Sequence, residues 1–309
     1  MGRRSRKGLP INGWLAIHKE VGMTSTRVVE AVRRITRAAK AGHGGTLDPF
    51  SEGLLPIALG EGTKALALVL EGDKAYRGWV RFGSETDSGD PTGTVTEEGG
   101  TPPDEARLRE ALTAFLGEQD QIPPVYSAIH INGERAYERA RRGETVEMPS
   151  RRVTIHELML ESYSDGLAEI TVRCGKGTYI RALARDLGRH VGGPAHLEQL
   201  LRTETLGFGL NDGVTLGKLT EAVREERLDE LLFPVDRVLD DIPALRLRAE
   251  VWHKIVNGQS AWVDAEGCDG TDIVRLLTPE GIFGAVGTLS ASSKDSRRLC
   301  KPKRLFHLS

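Results

Sequence analysis

Hydrophobic and polar positions follow strand-like and helix-like periods in turn along most of the chain. The apolar run at residues 14–17 predicts a short strand, and apolar side chains spaced every three to four positions predict a helix from residue 25 to about residue 39. Alternation of apolar and polar side chains predicts strands at 74–82, 153–160 and 168–174. The last two flank a turn at residues 164–166, so we expect them to pair antiparallel.

Further helices are predicted over residues 104–116, 134–142 and 182–190. Between them, the glycine- and proline-rich residues 41–53 predict a loop. The last 65 or so residues contain short strand-like runs at 260–263, 272–277 and 281–286. This order predicts a mixed α/β domain followed by a small β-rich domain, with a boundary just after Asp241.

Composition excludes several classes of protein. The chain has 309 residues, of which 39% are hydrophobic and 28% charged, so it is neither a fibrous nor a wholly disordered protein. Its longest apolar run, residues 65–70, is far too short to span a membrane, and no signal-peptide pattern follows the basic start. We therefore expect a cytoplasmic protein. Three widely spaced cysteines predict reduced thiols rather than disulfides or a zinc site: Cys174, Cys268 and Cys300.

Charge is distributed unevenly, although the formal net charge is only −2. Residues 1–43 carry ten basic and two acidic side chains, and residues 294–309 carry six basic and one acidic. Acidic side chains concentrate in residues 84–120 and 221–241. Basic ends on an acidic body indicate a localised anionic partner, such as a nucleic acid.

Asp48 is the first candidate for chemistry, because it lies before Pro49 in the glycine-rich loop. Such an aspartate often caps a helix. The same loop also contains His43, however, and the strand-to-helix junction further along presents Tyr179 and Arg181. An arginine partner keeps a carboxylate ionised and oriented, as a nucleophile requires. No catalytic triad, phosphate loop or zinc-ligand pattern competes for this role.

Several segments together resemble one enzyme family. Residues 44–49 (Gly-Gly-Thr-Leu-Asp-Pro), with 53–56 (Gly-Leu-Leu-Pro) and 60–64 (Gly-Glu-Gly-Thr-Lys), resemble the catalytic motif of the TruB family of tRNA pseudouridine synthases. Other matches follow in the family's order at residues 18–25, 123–143, 175–188 and 196–203. The resemblance covers roughly residues 9–240, and the tail more loosely resembles the PUA-type RNA-binding module.

The resemblance implies an α+β fold. Its catalytic domain, residues 1–241, would contain a mixed, mostly antiparallel sheet flanked by helices and an RNA-gripping insertion at about residues 123–152. Residues 242–309 would form a PUA-like RNA-binding domain. The implied reaction converts uridine 55 in the T loop of tRNA to pseudouridine: the N1–C1′ bond breaks and a C5–C1′ bond forms. The resemblance implies no cofactor and no metal. The partner would be the T-arm stem-loop of tRNA, and the protein would act as a monomer, with no membrane and no obligatory protein partner.

The resemblance also assigns roles to residues. Asp48 would be the nucleophile, attacking either the sugar or the base, and Arg181 would hold it ionised. Tyr179 would lie near the sugar and move a proton, while Asp90 is a weaker candidate for anchoring Tyr179 or Arg181.

Further residues complete the implied substrate site and its surroundings. The extruded base would stack on Tyr76. Leu200 would close the apolar side of the pocket. His43 would fill the space that the uridine leaves in the RNA. Phosphate contacts are expected from a separate set of basic residues: Lys19, Lys64, Arg141 and Arg142.

Three other functions remain open from the sequence. The same catalytic core occurs in guide-dependent synthases that act on ribosomal RNA. The chain would alternatively be an RNA chaperone that helps tRNA fold. A glycoside hydrolase is less favoured, because only one convincing carboxylate is present where that chemistry usually needs two.

Overall fold

The computed structural model describes residues 8–69, 72–127, 129–131, 133–268, 271–290 and 297–308, without the side chains of Arg135 and Arg141. The helices are α1 (Ser25–Thr36), α2 (Leu66–Val69), α3 (Glu105–Thr113), α4 (Ala136–Arg141), α5 (Ile180–His190), α6 (Leu216–Arg224) and α7 (Ala249–Val256). The strands are β1 (Gly13–Lys19), β2 (Ala41–His43), β3 (Glu52–Leu59), β4 (Lys74–Phe82), β5 (Ser84–Thr86), β6 (Val95–Glu98), β7 (Gly117–Gln121), β8 (His130–Ile131), β9 (Glu134–Arg135), β10 (Arg151–Ser164), β11 (Leu167–Cys174), β12 (Ala195–Thr205), β13 (Phe208–Gly209), β14 (Ala244–Arg246), β15 (Ala261–Asp264), β16 (Ile273–Leu277), β17 (Phe283–Leu289) and β18 (Arg297–Leu305).

A nine-stranded sheet forms the centre of the larger part of the molecule. Its strands run in the order β1-β3-β12-β4-β11-β10-β7, with β2 beside β3 and β13 beside β12. The β3–β12 pairing is parallel, and the other pairings described in this sheet are antiparallel. The predicted mixed, mostly antiparallel sheet is therefore confirmed.

Helices cover this sheet with apolar stripes that the sequence pattern predicted. The Thr24 side chain accepts a hydrogen bond from the Arg27 N–H and so caps the start of α1, while Val28 and Val32 are buried. On α5, Leu183 and Leu187 face the same core. Burying these stripes fixes both helices against the sheet, and the first turn of α5 thereby comes to lie over β4.

The C-terminal part has its own sheet, in the order β14-β16-β17-β18-β15, and its own apolar core. The predicted small β-rich domain is therefore confirmed. It packs on the larger part through Phe283 and Phe306, which join a cluster that contains Trp14. Arg275 of β16 forms ion pairs with Asp236 and Asp240, which lie just before this domain in the sequence.

Some elements differ from the sequence predictions. The 41–53 loop contains β2 and the start of β3, and the helix predicted from residue 134 begins only at Ala136, because residues 134–135 pair with β8 instead. The elements that the sequence analysis missed include the central strands β3, β7 and β12, the helices α6 and α7, and the C-terminal strands β14 and β18. Strand β18 is rich in exposed basic side chains and contains Pro302, which disguises the inward positions of Arg298 and Cys300.

Gly53 lies where the backbones of β3 and β12 approach each other closely, so a side chain there would be sterically excluded. Its φ is +105°, and a Cβ there would collide with the backbone oxygen of Arg202 and lie 2.7 Å from its nitrogen. Gly22 has a similar φ of +87°, but a Cβ added to it would meet no atom within 4 Å. We expect Gly53→Ala to lower the free energy of unfolding by about 3 kcal/mol or more, and Gly22→Ala by only about 1 kcal/mol. Urea unfolding of both variants measures the difference, and equal losses would contradict the steric argument.

Candidate active site

Two neighbouring central strands supply the floor of the candidate site. In the register of β4 and β12, Tyr76 lies opposite Arg202, and Gly78 lies opposite Leu200. Partners in an antiparallel pair point to the same face of the sheet, so Tyr76, Leu200 and Arg202 share one face. All three side chains are buried.

A cavity of about 230 Å³ lies over this face. The residues around it include the five that the sequence analysis placed nearest to the substrate: Asp48, Tyr76, Tyr179, Arg181 and Leu200. His43 does not line this cavity. It lines an adjoining one of about 680 Å³, whose walls also include Asp48 and Arg181. The fold thus brings distant parts of the chain to one place, with Asp48 and Arg181 bordering both spaces.

The centre of the site is an ion pair. Arg181 Nη2 lies 2.9 Å from Asp48 Oδ2. The Arg181 side chain is only 4% exposed, whereas the Asp48 side chain is 36% exposed. The arginine is therefore fixed inside the protein and the carboxylate faces the cavity, where a ligand can reach it.

Other groups hold Arg181 from behind. Its Nη1 donates to the Ser88 backbone oxygen at 2.7 Å and lies 3.4 Å from Asp90 Oδ2, while Nη2 donates to the Tyr126 backbone oxygen at 3.0 Å. Asp90 is itself buried and accepts hydrogen bonds from Ser88 and Thr92. The sequence analysis suggested Tyr179 or Arg181 as the partner of Asp90, and in the structure Asp90 pairs with Arg181. This arrangement fixes the direction in which the guanidinium points at Asp48.

The two tyrosines differ in their surroundings. Burial raises the pKa of Tyr76, and the nearby charge of Arg202 opposes that shift. Burial also raises the pKa of Tyr179, partly offset by Arg151. Both phenols are thus protonated at neutral pH. The backbone of Tyr179 is held by Gln121, which accepts from the Tyr179 N–H at 2.8 Å and donates to its oxygen at 3.2 Å.

His43 is an uncharged histidine at neutral pH. Burial lowers its pKa, and the positive charge of Arg202 lowers it further. A neutral ring can stack on or pack against a nucleobase without attracting phosphate. This fits a space-filling role better than an ionic one.

The prediction that Lys19 contacts RNA phosphates is wrong. The residue is 1% exposed, and the three N–H groups of its ammonium lie within hydrogen-bond distance of four backbone oxygens. Two of these acceptors, on Pro49 and Ser51, belong to the loop just after Asp48. Lys19 therefore holds the loop that carries the carboxylate and has no free donor for a phosphate.

The other basic candidates are placed differently. Lys64 pairs with Glu61 and donates to the Leu305 oxygen at 3.0 Å, so it joins the two domains and the structure does not support a phosphate contact there. Arg142 is half exposed but pairs with Glu134 and Glu144. The side chain of Arg141 lies outside the described residues. Phosphate binding by Arg141 and Arg142 stays a prediction.

Arg202 was missed as a site residue. It lies inside a matched segment, but nothing in its local sequence marks it as chemically active. The available signal was its position two residues after Leu200 on the same strand, where an inward-facing position normally takes an apolar side chain. A charged residue at such a position indicates a specific buried partner.

The described residues contain neither a metal-binding cluster nor a membrane-spanning helix. No group of three or more His, Cys, Asp or Glu side chains in this part of the chain is placed to hold a metal ion. None of its helices has the length and apolar character that a bilayer crossing requires.

Lys19 gives the site a pH signature. Burial lowers its pKa from 10.5 to about 8, despite the attraction of Asp48. Between these values the unfolded chain still binds the proton that the folded chain has released, so stability rises with pH in this window. We expect the free energy of unfolding of the natural chain to rise, relative to that of Lys19→Met, by on the order of 2 kcal/mol from roughly pH 7.5 to 9.5.

Urea unfolding of both proteins at the two pH values measures this effect. The groups that titrate in both proteins cancel in the difference. An identical pH dependence of the two proteins would show that Lys19 is not the group responsible.

Comparison with known proteins gives the chain its family. Residues 33–180 match the TruB family pseudouridylate synthase N-terminal domain, and residues 181–240 match the tRNA pseudouridylate synthase B C-terminal domain. The tRNA pseudouridine synthase B of Chromohalobacter salexigens is 41% identical over 300 residues, 96% of each chain. That of Caulobacter vibrioides is 43% identical over 258 residues, 83% of each chain.

Solved structures show the same fold. A Cbf5–Nop10–Gar1 complex contains a chain that matches with a TM-score of 0.76 at 23% identity, over 96% of this chain and 85% of that one. An H/ACA ribonucleoprotein bound to a substrate RNA containing 2′-deoxyuridine gives the same TM-score at 20% identity, over 99% and 92%. The family models, the curated relatives and the shared fold confirm the resemblance in the motifs: the chain belongs to the TruB family of pseudouridylate synthases.

Proposed function

We propose that this protein isomerises uridine 55 in the T loop of tRNA to pseudouridine. The observation that carries the proposal is the Asp48–Arg181 pair beside a cavity floored by Tyr76 and Leu200. The relatives of 41% and 43% identity bear the name tRNA pseudouridine synthase B, which supports tRNA as the substrate. Such an enzyme acts where tRNA matures, in the cytoplasm.

Asp48 is the proposed nucleophile. Its carboxylate attacks the sugar or the base, the N1–C1′ bond breaks, and the uracil turns so that C5 bonds to C1′. The bond to Asp48 breaks again, C5 loses its proton and N1 gains one, so the product is an isomer of uridine. The 2.9 Å contact from Arg181 stabilises the charged carboxylate and aims it into the cavity. No group is transferred to the product, so the reaction itself requires no cofactor.

The uridine must leave its stacked position to reach Asp48. In the proposed complex its base lies on the Tyr76 ring, and Leu200, on the same floor of the cavity, closes the apolar side of the pocket. Tyr179, whose raised pKa keeps its hydroxyl protonated, is placed to exchange a proton near the sugar. His43, neutral and in the adjoining cavity, takes the space from which the uridine came.

The insertion at residues 123–152 is the proposed grip on the T arm. It contains the short helix α4 and the two-stranded β8–β9 pair, and the Tyr126 backbone oxygen in it accepts from Arg181. An RNA held by this insertion would therefore lie next to the nucleophile. We propose a stand-alone monomer that needs neither a guide RNA nor an obligatory protein partner.

Asp48→Asn tests the proposed nucleophile. The variant keeps the size of the side chain and loses its charge, so we expect normal folding, tRNA affinity within about threefold, and turnover reduced by about 10⁴-fold or more. Tritium release from 5-tritiated uridine, measured on an unmodified tRNA and on a bare T-arm hairpin without guide RNA, gives the rates. Mass spectrometry with a pseudouridine-specific label locates the product.

Each of these measurements has an outcome that would contradict the proposed function or favour one of its alternatives. Turnover near that of the natural chain would remove Asp48 from its role. A natural chain that converts tRNA only when a guide RNA is added would favour the guide-dependent alternative. If the natural chain modifies no tRNA, but both it and Asp48→Asn speed tRNA folding, the chaperone is the better interpretation.

The remaining basic candidates are tested by salt. Each phosphate contact adds roughly 0.7–0.9 to the slope of log Kd against log salt concentration. We expect the Arg141→Ala/Arg142→Ala double variant to flatten the slope for tRNA binding by about one to two units. Lys64→Met, whose natural ammonium is engaged by Glu61 and Leu305, serves as the control and should leave the slope unchanged. An unchanged slope in the double variant would exclude these two arginines as phosphate ligands.

A further inference from the structure

We propose that Arg202 is a positioning residue for the reaction, and that its guanidinium fixes the loop of Asp48 and the ring of Tyr76 relative to each other. The inference rests on the proposed function, because it concerns how the same site is held in its reactive geometry. Arg202 lies in the floor of the cavity but is fully buried, and it forms no ion pair with Asp48. It acts through the backbone on which Asp48 is carried.

The backbone oxygens that Arg202 binds belong to the loop that carries Asp48, residues 44–51, and to the first residues of β3. Its Nε donates to the Leu54 oxygen at 2.8 Å, and its two terminal nitrogens donate to the oxygens of Thr46 and Gly45, both at 3.2 Å. These acceptors lie on both sides of Asp48 in the sequence. The Arg202 side chain is 0% exposed. One buried group therefore ties the beginning of the loop to its end.

The loop needs such a donor. The residues between β2 and β3 form no sheet ladder, and backbone oxygens that are buried without a donor destabilise a fold. A guanidinium presents several N–H groups in a fixed planar fork, so it satisfies three oxygens and also fixes the angles between them. A lysine ammonium at this position presents its donors from a single point and cannot reproduce that geometry.

Arg202 is also unusual in its charge. A buried arginine normally pairs with a carboxylate, yet no carboxylate in the described part of the chain lies within ion-pairing distance of it. Burial without such a partner lowers its pKa. Packing alone does not require a charged residue here, because an apolar side chain of similar size would fill the same volume without that electrostatic cost. The loop contacts supply the reason.

The same guanidinium also faces Tyr76, on whose ring the uracil base is proposed to stack. Arg202 lies directly opposite Tyr76 in the β4–β12 pairing, and its charge acts on the Tyr76 hydroxyl. Arg202 therefore contacts the elements that carry the nucleophile and the stacking ring, while Arg181 orients the carboxylate itself. Small displacements between a nucleophile and its target reduce rates strongly, even where binding is unaffected. This separation of rate from binding is the signature that the proposal predicts.

Arg202→Met and Arg202→Lys test it, with Arg298→Met as a matched control. Arg298 is also a buried arginine, 6% exposed, and donates to the oxygens of Ser290, Cys268 and Thr271. It differs in lying in the C-terminal sheet and in pairing with the Asp272 carboxylate at 2.9 Å. Single-turnover rates at saturating enzyme and Kd for tRNA are measured at a temperature well below the melting point of each protein. We expect Arg202→Met to lose about 100-fold or more in rate and Arg202→Lys at least about tenfold, both with Kd within about threefold.

Hydrogen exchange supplies the second readout. The amides of residues 44–54 should exchange faster in both Arg202 variants and at the natural rate in Arg298→Met, whose turnover should also stay within about twofold of natural. If Arg202→Met does not fold, Arg202→Lys decides the matter, since it keeps a cation of similar length. A natural rate in Arg202→Lys, or a loss confined to Kd, overturns the proposal.

The natural chain, assayed in parallel, separates this failure from that of the proposed function. If the natural chain converts tRNA and the Arg202 variants do so at the same rate, only the positioning role fails. If the natural chain is itself inactive, the proposed function fails.

Discussion

A carboxylate can serve as a nucleophile inside a protein only while a fixed cation holds it charged and aimed. Here the Asp48–Arg181 pair meets this condition, and much of the architecture can be understood as support for it. Arg181 lies in the first turn of α5, which the central sheet fixes from below. The Ser88 and Tyr126 oxygens and the Asp90 carboxylate then orient the guanidinium toward Asp48.

Buried cations stabilise the site where regular secondary structure does not. The loop that carries Asp48 lies between two strands and makes little ladder of its own. Lys19 binds the oxygens after Asp48, and Arg202 binds those before it and at the start of β3. Removing an ammonium and a guanidinium from water destabilises the folded chain. The compensation is a loop that is irregular enough to expose a carboxylate and still rigid enough to aim it.

The two domains are connected by both packing and charge. Phe283 and Phe306 share an apolar cluster with Trp14, and Lys64 reaches across from the larger domain to the Leu305 oxygen. The strand β18 carries the basic end of the chain on exposed positions of the small sheet. The basic side chains that make the charge of the sequence uneven are thus partly exposed and partly buried. Only the exposed ones are available to an anionic partner.

The strongly periodic elements and the identity of the central residues could be predicted from the order of amino acids. Periodicity located β1, α1, β4, β10, β11 and α5, because each of these elements buries one face and the face shows in the spacing of apolar side chains. Motif order identified the residues that the fold gathers around one cavity: Asp48, Tyr76, Tyr179, Arg181 and Leu200. The environment of each charge, by contrast, depends on the folded chain. The sequence does not distinguish a lysine or arginine that faces solvent from one that binds backbone oxygens. The structural roles of Lys19 and Arg202 therefore follow only from the packing of distant segments around them.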